Sequence, residues 1–361
     1  MKTTTLFLFF FSLIISGCSS QLEESPSLAK KYSEYFPVGA AVGGGHLDDY
    51  DTLLLKKHFT SVTAENDMKP ERTIKSPGDY SFDAGDRIVE FAQENDMFVR
   101  GHVLVWHNQT PDWFFKDSEG EFLSKEEMLQ REKQYINDVL NHYRGNIYAW
   151  DVVNEAISDE KGKFYREDTH WFRICGPEFI EKAFIYAREA DPDIKLFYND
   201  YNLIDPDKAQ KVYEMAKGFI DRGIPIDGIG MQGHWTLEDV NAENLSSSID
   251  LFASLGLEVQ ITELDLSIYP FYHNQERDSL PVEVIEFTED IETQQAEKYG
   301  EIFKVLREKA DKITNVTFWG VADDKTWLSH YFVEGRIDHP LLFDINYEPK
   351  KAFEEIMNFR D

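Results

Sequence analysis

Two stretches of the chain end in carboxylates set among unusual neighbours: Trp150-Asp151-Val152-Val153-Asn154-Glu155 and Ile261-Thr262-Glu263-Leu264-Asp265. Two glutamates brought to opposite sides of a narrow cavity can flank one scissile bond. Glycoside hydrolysis needs such a pair, one acid to protonate the leaving oxygen and one carboxylate to attack or to activate water. One strand-end glutamate alone serves equally well in a structural ion pair, so the weight lies on the two together. Glu263 and Asp265 share a strand face by the period of two, where Asp265 can orient a histidine that hydrogen-bonds Glu263; His234 is the candidate. Asn154 and Glu155 would face opposite sides of a regular strand, so both reach one ligand only if the chain leaves strand geometry there. His102 and His107 lack the spacing and third ligand of a zinc site, and Asp323-Asp324 reads as a solvated loop pair. With no Gly-rich phosphate loop or dinucleotide fingerprint either, neither metal nor cofactor is expected.

The elements that must position these residues are legible as a rhythm. From residue 38 onward, apolar or β-branched runs alternate with amphipathic stretches through eight pairs, with strands expected at 38–42, 61–65, 98–106, 147–155, 195–199, 228–234, 258–265 and 313–321. Ser124-Lys125-Glu126-Glu127 is a capping-box start, and Pro177-Glu178 and Asp205-Pro206-Asp207 open further helices. Gly145, Asp191-Pro192, Gly223 and Gly256 mark stops. Eight βα pairs make a closed barrel or a long doubly wound sheet. His, Trp, Asn and Glu crowd the C-terminal ends of the third, fourth, sixth, seventh and eighth runs, which favours an α/β fold of the (β/α)8 TIM barrel type, a single domain whose active site gathers at that one face. Trp150 lies well inside the fourth run and is assigned to the barrel core; Trp113, Trp171 and Trp235 receive no role.

The chain has 361 residues, 42% hydrophobic and 14% aromatic, enough to fill a large core and spare rings for a cleft. Its 37 Lys and Arg stand against 67 Asp and Glu, a formal charge of −30 that repels polyanions and excludes nucleic acid as a partner. Lys2 and the apolar run from Leu6 to Ile15 have the length of a signal-peptide core. The following Ser16-Gly17-Cys18 resembles the lipobox of bacterial lipoproteins. The expected organisation is a signal peptide over 1–17, lipidation at Cys18, a polar tether over 18–30 and a catalytic domain over 31–361. Ser19 favours the outer membrane, so the protein is expected to be exported and to touch a membrane only through this lipid anchor. The alternative is cleavage near Gly17 and a soluble secreted protein. Cys175 is the only other cysteine, and a Cys18–Cys175 disulfide is a competing use. A monomer is expected.

Seven motifs in order make the sequence similar to family 10 of the glycoside hydrolases, the endo-β-1,4-xylanase family of (β/α)8 barrels. They are Glu65-Asn66-Asp67-Met68-Lys69, Gly101 to Gln109, Trp150 to Glu155, Asn199-Asp200-Tyr201-Asn202, Gln232-Gly233-His234, Ile261 to Asp265, and Trp319 through Trp327. The resemblance spans nearly the whole chain after the tether. It implies that Glu155 is the general acid/base and Glu263 the nucleophile, that Asn154 meets the sugar 2-hydroxyl, and that Asn66 and Lys69 hold hydroxyls on the glycone side. Many members carry Trp after that lysine; here Pro70 stands in its place, which weakens one wall of the glycone side. His102 is expected to donate to a hydroxyl and Trp106 to close the pocket from below. Trp319 and Trp327 resemble the family's aromatic lid; Gln232 and Gln109 add hydrogen bonds, and Tyr201 serves the leaving-group side.

The substrates implied are xylan and xylo-oligosaccharides, cleaved with retention by carboxyl groups about 5–5.5 Å apart. Repulsion from Glu263 is expected to hold the Glu155 carboxyl above its ordinary range. A Trp closing the space at the sugar C6 position, Trp319 foremost, would exclude glucans. Two other readings stand beside this one: a retaining barrel hydrolase acting on cellulose, mannan or β-glucan, and a lipoprotein that captures glycans without turning them over.

Overall fold

The computed structural model describes residues 27–47, 50–270, 284–331, 333 and 335–359. The expected signal peptide, Cys18 and all but the end of the expected tether lie outside them.

Eight parallel strands form the barrel: β1 (Val38–Val42), β2 (Ser61–Ala64), β3 (Phe98–Gly101), β4 (Ala149–Asn154), β5 (Lys195–Asp200), β6 (Gly228–Met231), β7 (Glu258–Ser267) and β8 (Ile313–Phe318). Each pairs with the next, and β8 closes on β1 through Val38 opposite Val316. The longer helices between and after them are α1 (Asp51–His58), α2 (Asp83–Glu94), α3 (Lys125–Tyr143), α4 (Glu178–Ala190), α5 (Pro206–Arg222), α6 (Ala242–Ala253), α7 (Glu289–Glu308) and α8 (Lys351–Met357). The strands read as near-continuous apolar runs because interior and helix layer bury both their faces. The helices are amphipathic by the same logic: α2 buries Ile88, Val89 and Ala92 and turns its charges outward. Ser124 and Glu127 form the reciprocal capping box of α3, Asp205 caps α5 ahead of Pro206, and Gly223 ends α5 in the left-handed conformation.

Between the strands and the helix layer, large and small side chains interdigitate. A Cβ at Gly101 would sit 2.2 Å from the Trp150 ring, so only glycine lets that buried indole lie between the strands and α3, its ring centre 6.0 Å from that of Tyr143. A polar layer lies at the same level inside the barrel. The buried Arg100 guanidinium pairs with Asp151, donates to Gln260 Oε1 at 2.6 Å, and lies 4.5 Å from the Phe197 ring centre. Buried charges are tolerated only when paired this fully.

Two expected strands are interrupted, both at the catalytic end. The run expected over 98–106 ends its strand at Gly101; the chain passes a cis His102–Val103 peptide and pairs again only at Val105–Trp106, beside Val153 and Asn154. The run expected over 228–234 ends at Met231 and resumes at His234–Thr236, opposite Asp265–Ser267. Residues 27–30, expected in the tether, belong to the packed domain. Ser27 caps a helix at Leu28–Lys31, and Leu28 is fully buried. Tyr32 then packs against Phe36, Phe303 and Phe359 and donates to the Ile356 carbonyl at 2.5 Å. A polar, pattern-free stretch gives no local sign of this, because the apolar partners come from the far end of the chain.

Candidate active site

Glu263 points from β7 into the mouth of the barrel and is 5% exposed. Its Oε1 accepts from Asn199 Nδ2 at 2.6 Å and its Oε2 from His234 Nε2 at 3.1 Å. His234 Nδ1 donates to Asp265 Oδ2 at 2.9 Å, and Trp327 Nε1 gives the same oxygen a second bond at 2.8 Å. Gly233, at φ 85°, lets the chain turn between Gln232 and His234 so that both face inward. Burial opposes charge on His234, but Asp265 and Glu263 outweigh it and hold the ring proton up to about 10. The ring is therefore an imidazolium at neutral pH, donating from both nitrogens. Burial likewise raises Glu263, yet the His234 hydrogen bond, the charges of His102 and His234, and Asn199 bring its carboxyl below the ordinary range.

Glu155 lies just past β4, with φ 56°; the strand geometry ends at Asn154. This break is what turns two sequence neighbours toward one ligand. Glu155 Oε2 accepts from Trp106 Nε1 at 3.0 Å, and Oε1 from Gln232 Nε2 at 2.9 Å and Asn154 Nδ2 at 3.2 Å. The amides also join the two glutamates, because Asn154 Oδ1 accepts from Asn199 at 2.9 Å and Gln232 at 3.2 Å. The raised carboxyl expected for Glu155 is not what the open cleft holds. Burial does push it up, but the nearby His107 ring, the Gln232 and Trp106 hydrogen bonds and Arg166 favour the ionised form more, so it sits below the ordinary range.

The remaining expected residues fall into three groups around this pair. Lys69 Nζ donates to Asn66 Oδ1 at 3.1 Å and Gln109 Oε1 at 2.9 Å and lies 4.9 Å from the centre of a Trp106 ring. Pro70 opens the short helix Pro70–Thr73, where its missing N–H costs nothing. His102 Nδ1 donates to Asp151 Oδ2 at 2.9 Å. That leaves Nε2 as the ring nitrogen available to a sugar hydroxyl. Trp319 is buried edge-on to His102, with ring centres 5.3 Å apart, and Trp327 lies 4.9 Å from His234. Tyr201 stands apart from both carboxylates: its hydroxyl meets Asp159 and accepts from Arg166 at 2.7 Å, and Lys208 Nζ lies 3.7 Å above its ring. A cleft of about 640 Å³ continues from His234 and Trp235 along Asn202, Lys208 and Lys211.

Sequence reasoning assigned no role to several residues that complete the site. His107, discarded as a metal ligand, is pushed down to about 4 by burial and adjoins Glu155 electrostatically. Asn199 bridges Asn154 and Glu263, and its place at the end of a barrel strand was the available signal. Arg166 Nε donates to the Glu155 carbonyl at 3.1 Å, and the unassigned Trp171 donates to the Trp106 carbonyl at 3.1 Å. Trp150 is buried, but between the strands and α3 rather than inside the barrel, because the inward position is taken by Asp151.

A closed (β/α)8 barrel whose mouth holds two buried, separately hydrogen-bonded carboxylates is built for acid and nucleophile work on one bond. The profile of glycosyl hydrolase family 10 matches residues 27–359. The chain is 51% identical over 354 residues to a β-1,4-xylanase of Dictyoglomus thermophilum, covering 98% of this chain and 97% of the relative. It is 44% identical over 337 residues to an endo-1,4-β-xylanase of Geobacillus stearothermophilus, covering 92% and 98%. The crystal structure of an endo-1,4-β-xylanase from Caldicellulosiruptor owensensis superposes with a TM-score of 0.87 at 48% identity, over 93% of this chain and 100% of that one. A mutant structure in complex with xylotriose matches with the same TM-score of 0.87 at 44% identity, over 93% and 100%. The chain belongs to glycosyl hydrolase family 10.

Proposed function

We propose that the chain is an endo-1,4-β-xylanase that cleaves internal bonds of xylan with retention of configuration, Glu263 acting as nucleophile and Glu155 as acid/base. The observation that carries the assignment is the asymmetry of the two carboxylates. Glu263 is braced by a histidine held cationic, which keeps it ionised and aimed. Glu155 is held by neutral donors, Gln232, Trp106 and Asn154, so it can gain and lose a proton without breaking an ion pair. In the first step a Glu263 oxygen bonds to the anomeric carbon, the glycosidic bond breaks, and the leaving oxygen takes the Glu155 proton. In the second, Glu155 takes a proton from water, whose oxygen displaces Glu263; two inversions give retention. Filling the cleft with sugar removes water from Glu155 and strengthens the one influence that raises its carboxyl, which supplies the proton for the first step.

Asn66, Lys69, His102, Trp106, Asn154, Gln232, Trp319 and Trp327 contact the sugar, with His234, Asp265, Gln109 and Tyr201 in support. The long cleft beyond His234 suits a polymer extending past the cleaved bond. Products from residues 19–361 on glucuronoxylan, arabinoxylan, mannan and carboxymethylcellulose, beside Glu263→Ala, test this. Short xylo-oligosaccharides from the wild type alone support it; xylan binding without products from either protein would indicate a capture protein.

The apolar run from Leu6 to Ile15 and the Ser16-Gly17-Cys18 that follows support an exported lipoprotein, lipidated at Cys18 and held at the outer membrane. A mature N-terminus without a lipid mass on Cys18 in the mass spectrum rules this out.

A further inference from the structure

Glu155 has a left-handed backbone, a conformation that residues with a side chain rarely adopt, so the surroundings must hold it there. Before it, its own N–H donates to the Asn199 carbonyl at 3.0 Å. After it, the N–H groups of Ala156 and Ile157 both converge on one atom, the Tyr198 hydroxyl oxygen, each at 3.0 Å. That hydroxyl then spends its proton on Asp200 Oδ2 at 2.6 Å. The other carboxylate oxygen of Asp200 takes Lys208 Nζ at 2.8 Å and the Tyr201 N–H at 2.9 Å. Tyr198 and Asp200 are both fully buried on β5. A phenol that accepts two backbone bonds and donates one uses all its hydrogen-bonding capacity, and phenylalanine of the same shape would supply none of it. Lys208 also pairs with Asp159 at 2.9 Å, which bonds Tyr201, so the brace is anchored in the loop bordering the cleft.

We propose that Tyr198, braced by Asp200, is a positioning residue for the acid/base: it fixes the turn that follows Glu155 and so aims the Glu155 carboxyl at the leaving oxygen. The proposal rests on the reading of Glu155 as acid/base. Its signature is dependence on the leaving group. A misaimed acid slows departure of a sugar, which needs a proton, and leaves departure of dinitrophenolate, which needs none, nearly untouched.

The experiment compares kcat/KM of wild type, Tyr198→Phe and Glu155→Ala on xylan and on a dinitrophenyl xylobioside. Tyr198→Phe is expected to lose about 10- to 100-fold on xylan and no more than about threefold on the aryl glycoside. Equal losses on both substrates, or none on xylan, overturn the positioning role while a selective Glu155→Ala leaves the acid/base assignment standing. A Glu155→Ala that loses equally on both overturns the acid/base reading and the proposal with it. Asp200→Asn keeps the shape and the acceptor for the phenol but weakens the bond; the same selectivity with a smaller loss is expected, and it decides the matter should Tyr198→Phe not fold.

Discussion

The two sides of the catalytic cleft solve opposite problems with similar parts. Both carboxylates are buried, both accept an indirect or direct brace from an indole, and both lie one hydrogen bond from an amide two strands away. On the β7 side the brace is charged: Trp327 and His234 converge on Asp265, and His234 carries its positive charge to Glu263. On the β4 side the donors are neutral, and Trp106 bonds the carboxylate itself. The first arrangement fixes a protonation state, as a nucleophile requires. The second leaves it adjustable, as a group that must give and retake a proton requires.

The sharpest test removes each carboxylate in turn. Glu263→Ala is expected to lose at least about 10⁴-fold in kcat whatever the leaving group, because no covalent intermediate can form. Glu155→Ala is expected to lose about 10²- to 10⁴-fold on xylan and far less on an activated aryl glycoside in kcat/KM. Identical leaving-group profiles would erase the contrast between the two sides.

Charge on His234 comes next. His234→Asn is expected to cost about 100-fold in kcat/KM and to move the acidic limb of the pH profile upward, since Glu263 loses the neighbour that lowers it. The same group ties stability to pH. Its folded value of about 10 exceeds its ordinary 6.5, so its contribution is whole below pH 6.5 and declines as pH rises toward 10. The wild type should lose on the order of a few kcal/mol across that window, and denaturant titrations of His234→Asn should show a flatter profile.

Indole-to-phenyl changes probe the comparison more gently. Trp106→Phe removes a donor that favours ionised Glu155 and should move the basic limb upward. Trp327→Phe removes the bond to Asp265, not one to Glu155, and should leave the basic limb in place, with a loss of about 1 kcal/mol in transition-state stabilisation. A basic limb that moves equally in both variants contradicts the division.

The smallest effect is expected away from the cleft. Glu132 on α3 is fully buried, neither of its carboxylate oxygens accepts a hydrogen bond, and burial holds it protonated well above the ordinary range. Such a group costs stability as pH rises above its unfolded value, because only the unfolded chain ionises freely. Glu132→Leu should leave kcat/KM unchanged and raise stability by about 1 kcal/mol, more at pH 9 than at pH 5, in parallel denaturant curves.

Some of this was legible because it is written in local pattern. The barrel strands announce themselves as apolar runs, and the α3 capping box and the Asp205-Pro206 start follow rules that operate within one turn. Glu263, Asp265 and His234 were legible as a group because strand periodicity and strand adjacency are both one-dimensional clues. The break after Gly101 and the left-handed turn at Glu155 were not, since each depends on what other strands offer. Asn199, Arg166 and Trp171 were missed for a related reason. They touch other protein groups and impose no spacing on the chain.

The clasp formed by Leu28 and Tyr32 has a consequence for presentation. Ser27 abuts the end of α1 and Arg307 at the end of α7 reaches Tyr32, so the chain enters the barrel at the face where strands begin, opposite the catalytic mouth. Fastened to any surface through its N-terminal segment, the enzyme stands with its mouth outward. Were Cys18 the point of attachment proposed above, at most about 30 Å of chain would separate it from Ser27, on the side away from the mouth that a polymer must reach.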